Sequence, residues 1–150
     1  MLVLDASILI KLFHEEIDSP VARAAVEEAV EHRISLLSPS IALYEILSVA
    51  LHHELPFEMP LQLIAALQRT GFQLVEPTPQ ELLKAEIIAT TKSTSPSYPQ
   101  LQDSVYHAMA ILRGATFLTA DRKHADRTRR FGSIKLLSEW RSESPTPPRP

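Results

Sequence analysis

Residues 101–121 read LQDSVYHAMAILRGATFLTAD, and this stretch decides the fold. Leu101–Arg113 reads as a helix with Asp103 in its first turn, and Gly114 supplies the C-terminal stop signal. Thr116–Leu118 then reads as a short strand, with Asp121 closing the apolar run that contains it. A helix passing through a glycine into a strand belongs to an alternating α/β chain, and such chains form parallel sheets covered on both faces.

The rest of the chain extends the alternation. Met1–Leu4 reads as a buried strand, running through Asp5-Ala-Ser7 into a helix that reaches about Glu16. Asp18-Ser-Pro20 is a helix start, an N-cap candidate followed by proline in the first turn, and that helix reaches about His32. Ile34–Leu37 is the next strand. Ser38-Pro-Ser40 then caps a helix with Ala42, Leu43, Ile46, Leu47, Ala50 and Leu51 at helical spacing. Pro56 and Pro60 break that helix and start another, which ends near Gly71. Phe72–Val75 is a third strand, and Pro77-Thr-Pro79 leads into a helix over about Gln80–Thr91. Thr90–Gln100, rich in Ser, Thr and Pro, reads as a loop. After Asp121 come a basic helical segment and a last strand around Ile134–Leu137. The tail Ser142–Pro150 holds four prolines and is expected to be disordered. These elements predict an α/β fold, a three-layer α/β/α sandwich on a short, mostly parallel central sheet. It is expected to occupy residues 1–141 as one domain, without internal repeats.

At 150 residues, 45% hydrophobic and 22% charged, the composition suits one soluble globular domain with a substantial core. There is no cysteine, which excludes disulfides, zinc-thiolate sites and thiol nucleophiles. The N-terminal apolar run is short and interrupted by Asp5 and Lys11, so it reads as neither signal peptide nor membrane span, and a cytoplasmic location is expected. The net charge of −3 is unremarkable. Between Arg113 and Arg141, however, eight Lys or Arg residues face only Asp121, Asp126 and Glu139. Such a surplus suits a polyanion's phosphates, or an ordinary solvated helix and loop.

Four carboxylates stand in or beside apolar segments: Asp5 after the first strand, Glu45 within Ile41–Ala50, Asp103, and Asp121 at a strand end. Burying a carboxylate is costly unless it is paired or bound to a cation, so four such placements point to one shared acidic site holding a divalent ion. Ligands of open parallel sheets bind beyond the carboxyl ends of the strands, where Asp5 and Asp121 stand. Asp103 and Glu45 must reach that crevice from helices, and Glu45 needs a partner. Singly, Asp5 and Asp121 also suit helix N-caps and Asp103 suits a first-turn charge.

The segments MLVLDAS, LYEILSVA and LQDSVYHAMAILRGATFLTAD, in that order, resemble a PIN domain, specifically the small VapC-type toxins of bacterial toxin–antitoxin pairs. The likeness covers about residues 1–137. It implies a Mg2+- or Mn2+-dependent ribonuclease with a metal pocket formed by Asp5, Glu45, Asp103 and Asp121. It also implies hydroxyl residues at Ser7 and Thr119, a frequent homodimer, and a cognate antitoxin whose peptide enters the groove. Hard cations take oxygen ligands and retain waters, so a carboxylate set suits them. On this reading Ser7 and Thr119 set carboxylate orientation as hydrogen-bond donors, and Arg122 and Lys123 contact phosphate. Two other functions compete with this reading. A phosphatase using Asp5 as nucleophile would want a second aspartate where Ser7 stands, and a catalytically silent PIN-fold binding module has no lost acidic position to support it. His107 could approach the pocket from one turn beyond Asp103, though packing beside a carboxylate or at a dimer surface is commoner. Asp126 suits a surface salt bridge, and His52-His53 a solvated helix end.

Overall fold

In the computed structural model, which describes residues 1–92 and 98–141, five strands make one all-parallel sheet. They are β1 (Leu2–Leu4), β2 (Leu36–Pro39), β3 (Gln73–Val75), β4 (Thr116–Thr119) and β5 (Ile134–Leu136), in the order β3-β2-β1-β4-β5. Val3 pairs with Leu37 on one side and Phe117 on the other. Seven α-helices are described: α1 (Ala6–Phe13), α2 (Ser19–Glu31), α3 (Ile41–His52), α4 (Glu58–Arg69), α5 (Pro79–Thr90), α6 (Leu101–Leu112) and α7 (Arg122–Thr128). The helices cover both faces, the three-layer α/β/α arrangement expected. All three residues of β1 are buried, as a strand covered on both sides requires. α6 lies against β1, β2 and β4 and packs on α5, while α1 gathers α2, α3 and α4. Leu4, Ile8, Leu9, Ile46, Ile88, Met109, Phe117 and Leu118 are fully buried between these layers.

Four helices end alike. At α6, Ala115 N–H donates to Ala110 O at 2.8 Å and Gly114 N–H to Ile111 O, with Gly114 at φ +62°; this is the Schellman ending. Gly71 serves α4 in the same way. At α2 and α3 the left-handed position falls to Arg33 (φ 55°) and Glu54 (φ 54°). β2 consequently starts at Leu36 and not Ile34, because Arg33 through Ser35 carry the chain from helix to strand.

Helix α1 stops at Phe13, short of the expected Glu16. The nearly buried Lys11 explains this, since it pairs with Glu16 and with Asp18 at 2.7 Å and folds the connection back. Asp18 does occupy the N-cap position of α2 with Pro20 in the first turn, but its carboxylate serves Lys11 and makes no cap bond. α5 opens with a capping box between Thr78 and Glu81. The buried Glu81 also takes Arg113 Nε at 2.6 Å, tying α5 to the end of α6. The expected loop 90–100 lies partly, and the expected tail 142–150 wholly, outside the described residues.

Chain order makes β1 and β4 decisive. β1 leads on to β2 at one side, and β4 is its neighbour at the other. Strand order reverses between them, which is where ligands of open α/β sheets bind.

Candidate functional site

Asp5 follows β1 directly, and its N–H donates to Leu118 O of β4 at 3.0 Å. Its side chain is 6% exposed and makes no helix-cap bond. Instead Ser7 Oγ–H donates to Asp5 Oδ2 at 2.8 Å, and Thr119 Oγ1–H donates to the same oxygen. Both hydroxyls also accept from the backbone after β4: Ala120 N–H reaches Ser7 Oγ at 3.1 Å and Asp121 N–H reaches Thr119 Oγ1 at 2.9 Å. A backbone N–H can only donate, so each hydroxyl has its one proton free for Asp5. Burial raises the Asp5 carboxyl above its ordinary value, outweighing the bonds from Thr119 and Ser7 that pull it down.

The other three carboxylates are near enough to Asp5 for charge to act between them. Asp121 stands at the N-cap of α7, where its Oδ1 accepts from His124 N–H at 3.0 Å. Asp103 sits in the first turn of α6, 20% exposed. Burial, then the charges of Asp5, Asp121 and Glu45, push its carboxyl to about 7. Glu45, on α3, is half-buried and finds the partner it needs in Tyr106, whose hydroxyl donates to Glu45 Oε2. Burial raises the Glu45 carboxyl; Tyr106 pulls it back and Asp5 adds to the rise. Among the described residues none of the four is ion-paired to lysine or arginine.

Tyr106 was missed from sequence. It is fully buried, stacked on Phe117 with ring centroids 5.7 Å apart. Burial and Glu45 hold its phenol well above the ordinary value, so it stays a donor. Its only sequence signal was a place one turn after Asp103, on the same helix face. His107 hydrogen-bonds none of the carboxylates: its Nε2 lies 2.6 Å from Gly132 O, its Nδ1 has no partner among the described residues, and burial lowers its pKa. Arg122 and Lys123 are exposed at the start of α7 beside Asp121. The rest of the basic run disperses. Arg113 pairs with Glu81, Arg129 with Glu139, and Arg127 and Arg130 donate to the carbonyls of Tyr98 and Lys92.

The donor set is four carboxylates whose shared charge is relieved by hydroxyl donors and no basic side chain, which suits a hard divalent cation. Among the described residues, however, no three Asp, Glu or His side chains converge closely enough to enclose an ion. The charges of Asp5, Asp121 and Glu45 act on Asp103, while the spacing forms no closed set of three ligands among the described residues. Both fit a cation that keeps several of its waters.

The family model of the PIN domain matches residues 2–130, and the chain belongs to that family. PIN domains are in general metal-dependent nucleases, generally using Mg2+ or Mn2+. No curated protein matches the sequence. Among the described residues no helix is long and apolar enough to cross a membrane.

Proposed function

We propose that this chain is a Mg2+- or Mn2+-dependent endoribonuclease hydrolysing RNA phosphodiester bonds, and that it is the VapC-like toxin of a toxin–antitoxin pair. What supports the nuclease reading is a PIN fold in which Asp5 and Asp121 follow the ends of β1 and β4, with the charges of Asp5, Asp121 and Glu45 all acting on Asp103. The toxin assignment rests on the likeness of the ordered motifs around Asp5, Glu45 and Asp103–Asp121 to those toxins. With it come a cognate antitoxin, a homodimer and a cytoplasmic location. The nuclease domain is assigned to 1–141, with 142–150 a tail.

Asp5, Asp103 and Asp121 would hold the cation directly or through water, and Glu45 would share it or a second ion. When bound, such an ion activates water and offsets charge on the scissile phosphate. Ser7 and Thr119 keep Asp5 fixed as an acceptor, so its orientation survives changes in the site. Glu45, with Oε2 held by Tyr106, keeps Oε1 to orient the attacking water. Arg122 and Lys123 draw the RNA backbone toward Asp121.

RNA cleavage by purified protein with Mg2+ or Mn2+, with EDTA, and by Asp5→Asn and Asp103→Asn tests this. The expected result is metal-dependent cutting lost in both folded variants. Equal cutting by the variants, or no cutting of a broad RNA panel, would overturn it. Growth arrest on expression of wild type, absent for Asp5→Asn, tests the toxin assignment.

A further inference from the structure

His124 is 2% exposed, yet neither ring nitrogen has a hydrogen-bond partner among the described residues. Buried polar atoms are nearly always satisfied, and the exceptions concentrate at working sites. The ring is held by aromatic neighbours: His107 at 5.6 Å and Phe117 at 5.8 Å between centroids, both edge-on. Its Nδ1 faces Asp103 Oδ2 at 3.9 Å, too far for a hydrogen bond and close enough for a small side-chain rotation to make one. Its backbone N–H already serves Asp121 Oδ1 at 3.0 Å. One residue thus touches two of the four carboxylates, one through the main chain and one through the ring.

We infer that His124 is a positioning residue that, with its ring Nδ1 turned toward Asp103 and its backbone N–H holding Asp121, sets the separation of these two carboxylates for a divalent cation. The inference rests on the metal-dependent reading above. Gly132 O can only accept, so His107 carries its own proton on Nε2 and offers no donor to its neighbour. With aromatic rings packed edge-on against it, His124 has the Asp103 carboxyl within 3.9 Å of its Nδ1. Partners that hydrogen-bond metal-ligating side chains orient them, and losing one typically costs about 10–100-fold in metal affinity or activity.

The test compares Mn2+ affinity by calorimetry for wild type, His124→Phe and His124→Asn, with urea unfolding of each in EDTA. Phenylalanine keeps the ring's bulk without a donor, and asparagine places an N–H near the Nδ1 position. His124→Phe should bind Mn2+ about tenfold more weakly or worse, at unchanged or higher stability in EDTA, and His124→Asn should restore most of the affinity. The same order should hold for cleavage at saturating RNA, in kcat more than in KM. His124→Phe binding Mn2+ like wild type, or both variants losing affinity equally, overturns the inference while leaving the metal reading intact. A wild type that binds no Mn2+ overturns the metal reading, and this inference with it.

Discussion

Asp103→Asn should stabilise the metal-free protein at high pH. Burial and then Asp5, Asp121 and Glu45 move the Asp103 carboxyl from 3.8 to about 7, so the folded state holds that proton more tightly than the unfolded chain does. The associated stability is complete below about pH 4 and is lost as pH rises through about 7. At 1.36 kcal/mol per pH unit, the displacement corresponds to about 4 kcal/mol by pH 8. Asparagine removes the charge but leaves a buried amide and the other three carboxylates, so part of the cost remains. We expect a gain of roughly 2–3 kcal/mol at pH 8 in EDTA, or roughly 4–12 °C in Tm for a chain of this size. At pH 4 the two proteins should agree within about 0.5 kcal/mol. Urea unfolding followed by circular dichroism at pH 4, 6 and 8 measures this. Comparison at each pH cancels titrating groups that do not act on Asp103, such as Glu81, where burial is outweighed by Arg113 and Thr78. A variant less stable than wild type at pH 8, or a difference independent of pH, refutes the reasoning.

Three further substitutions probe particular contacts. Tyr106→Phe keeps the ring on Phe117 but leaves Glu45 Oε2 without its donor; RNA cleavage should fall by about tenfold or more in a protein that still folds, and wild-type rates would count against the role given to Glu45. Glu81→Gln breaks the ion pair with Arg113 and weakens the capping box, and should cost roughly 2–4 kcal/mol in urea unfolding; a loss below about 0.5 kcal/mol would mean the pair is idle. Glu54→Gly places glycine at φ 54° on an exposed turn and should add roughly 0.5–1 kcal/mol, a gain that no contact explains and that a fall in Tm would contradict.

Where the sequence could be read, local chemistry matched global placement. Gly114 and Gly71 ended helices as their lack of Cβ invites, and Asp5 and Asp121 stood at strand ends because apolar runs stop there. The misplaced boundaries come from residues that break local rules. Arg33 carries no stop signal, yet it adopts the left-handed turn and moves β2 two residues along. Lys11 looks like an ordinary helix residue until Asp18 and Glu16, five to seven positions away, close over it. The site divides in the same way. Four carboxylates in apolar segments are visible as exceptions to burial rules, whereas Tyr106 is an aromatic among apolar neighbours and looks like core. Its partner Glu45 is 61 residues distant, and no periodicity links them. His124 was hidden for the same reason, since only the fold shows a buried imidazole without a partner.

On the proposed metal-dependent reading, the carboxylates that destabilise the bare fold would also be the source of affinity for a cation. Binding to the folded state alone stabilises by RT ln(1 + [L]/Kd), and part of that free energy is the repulsion around Asp103 that a positive charge removes. The sheet can carry that repulsion because β1 throughout and β4 from Phe117 onward are buried, and the charges follow at their ends. Ser7 and Thr119 join the two strand ends through hydroxyls whose protons point at Asp5, so the geometry of that carboxylate is set without a neutralising lysine. A basic side chain in their place would stabilise the empty protein and compete with the ion. Mn2+ should accordingly raise the stability of wild type more than that of Asp103→Asn, because the variant has less repulsion left to relieve.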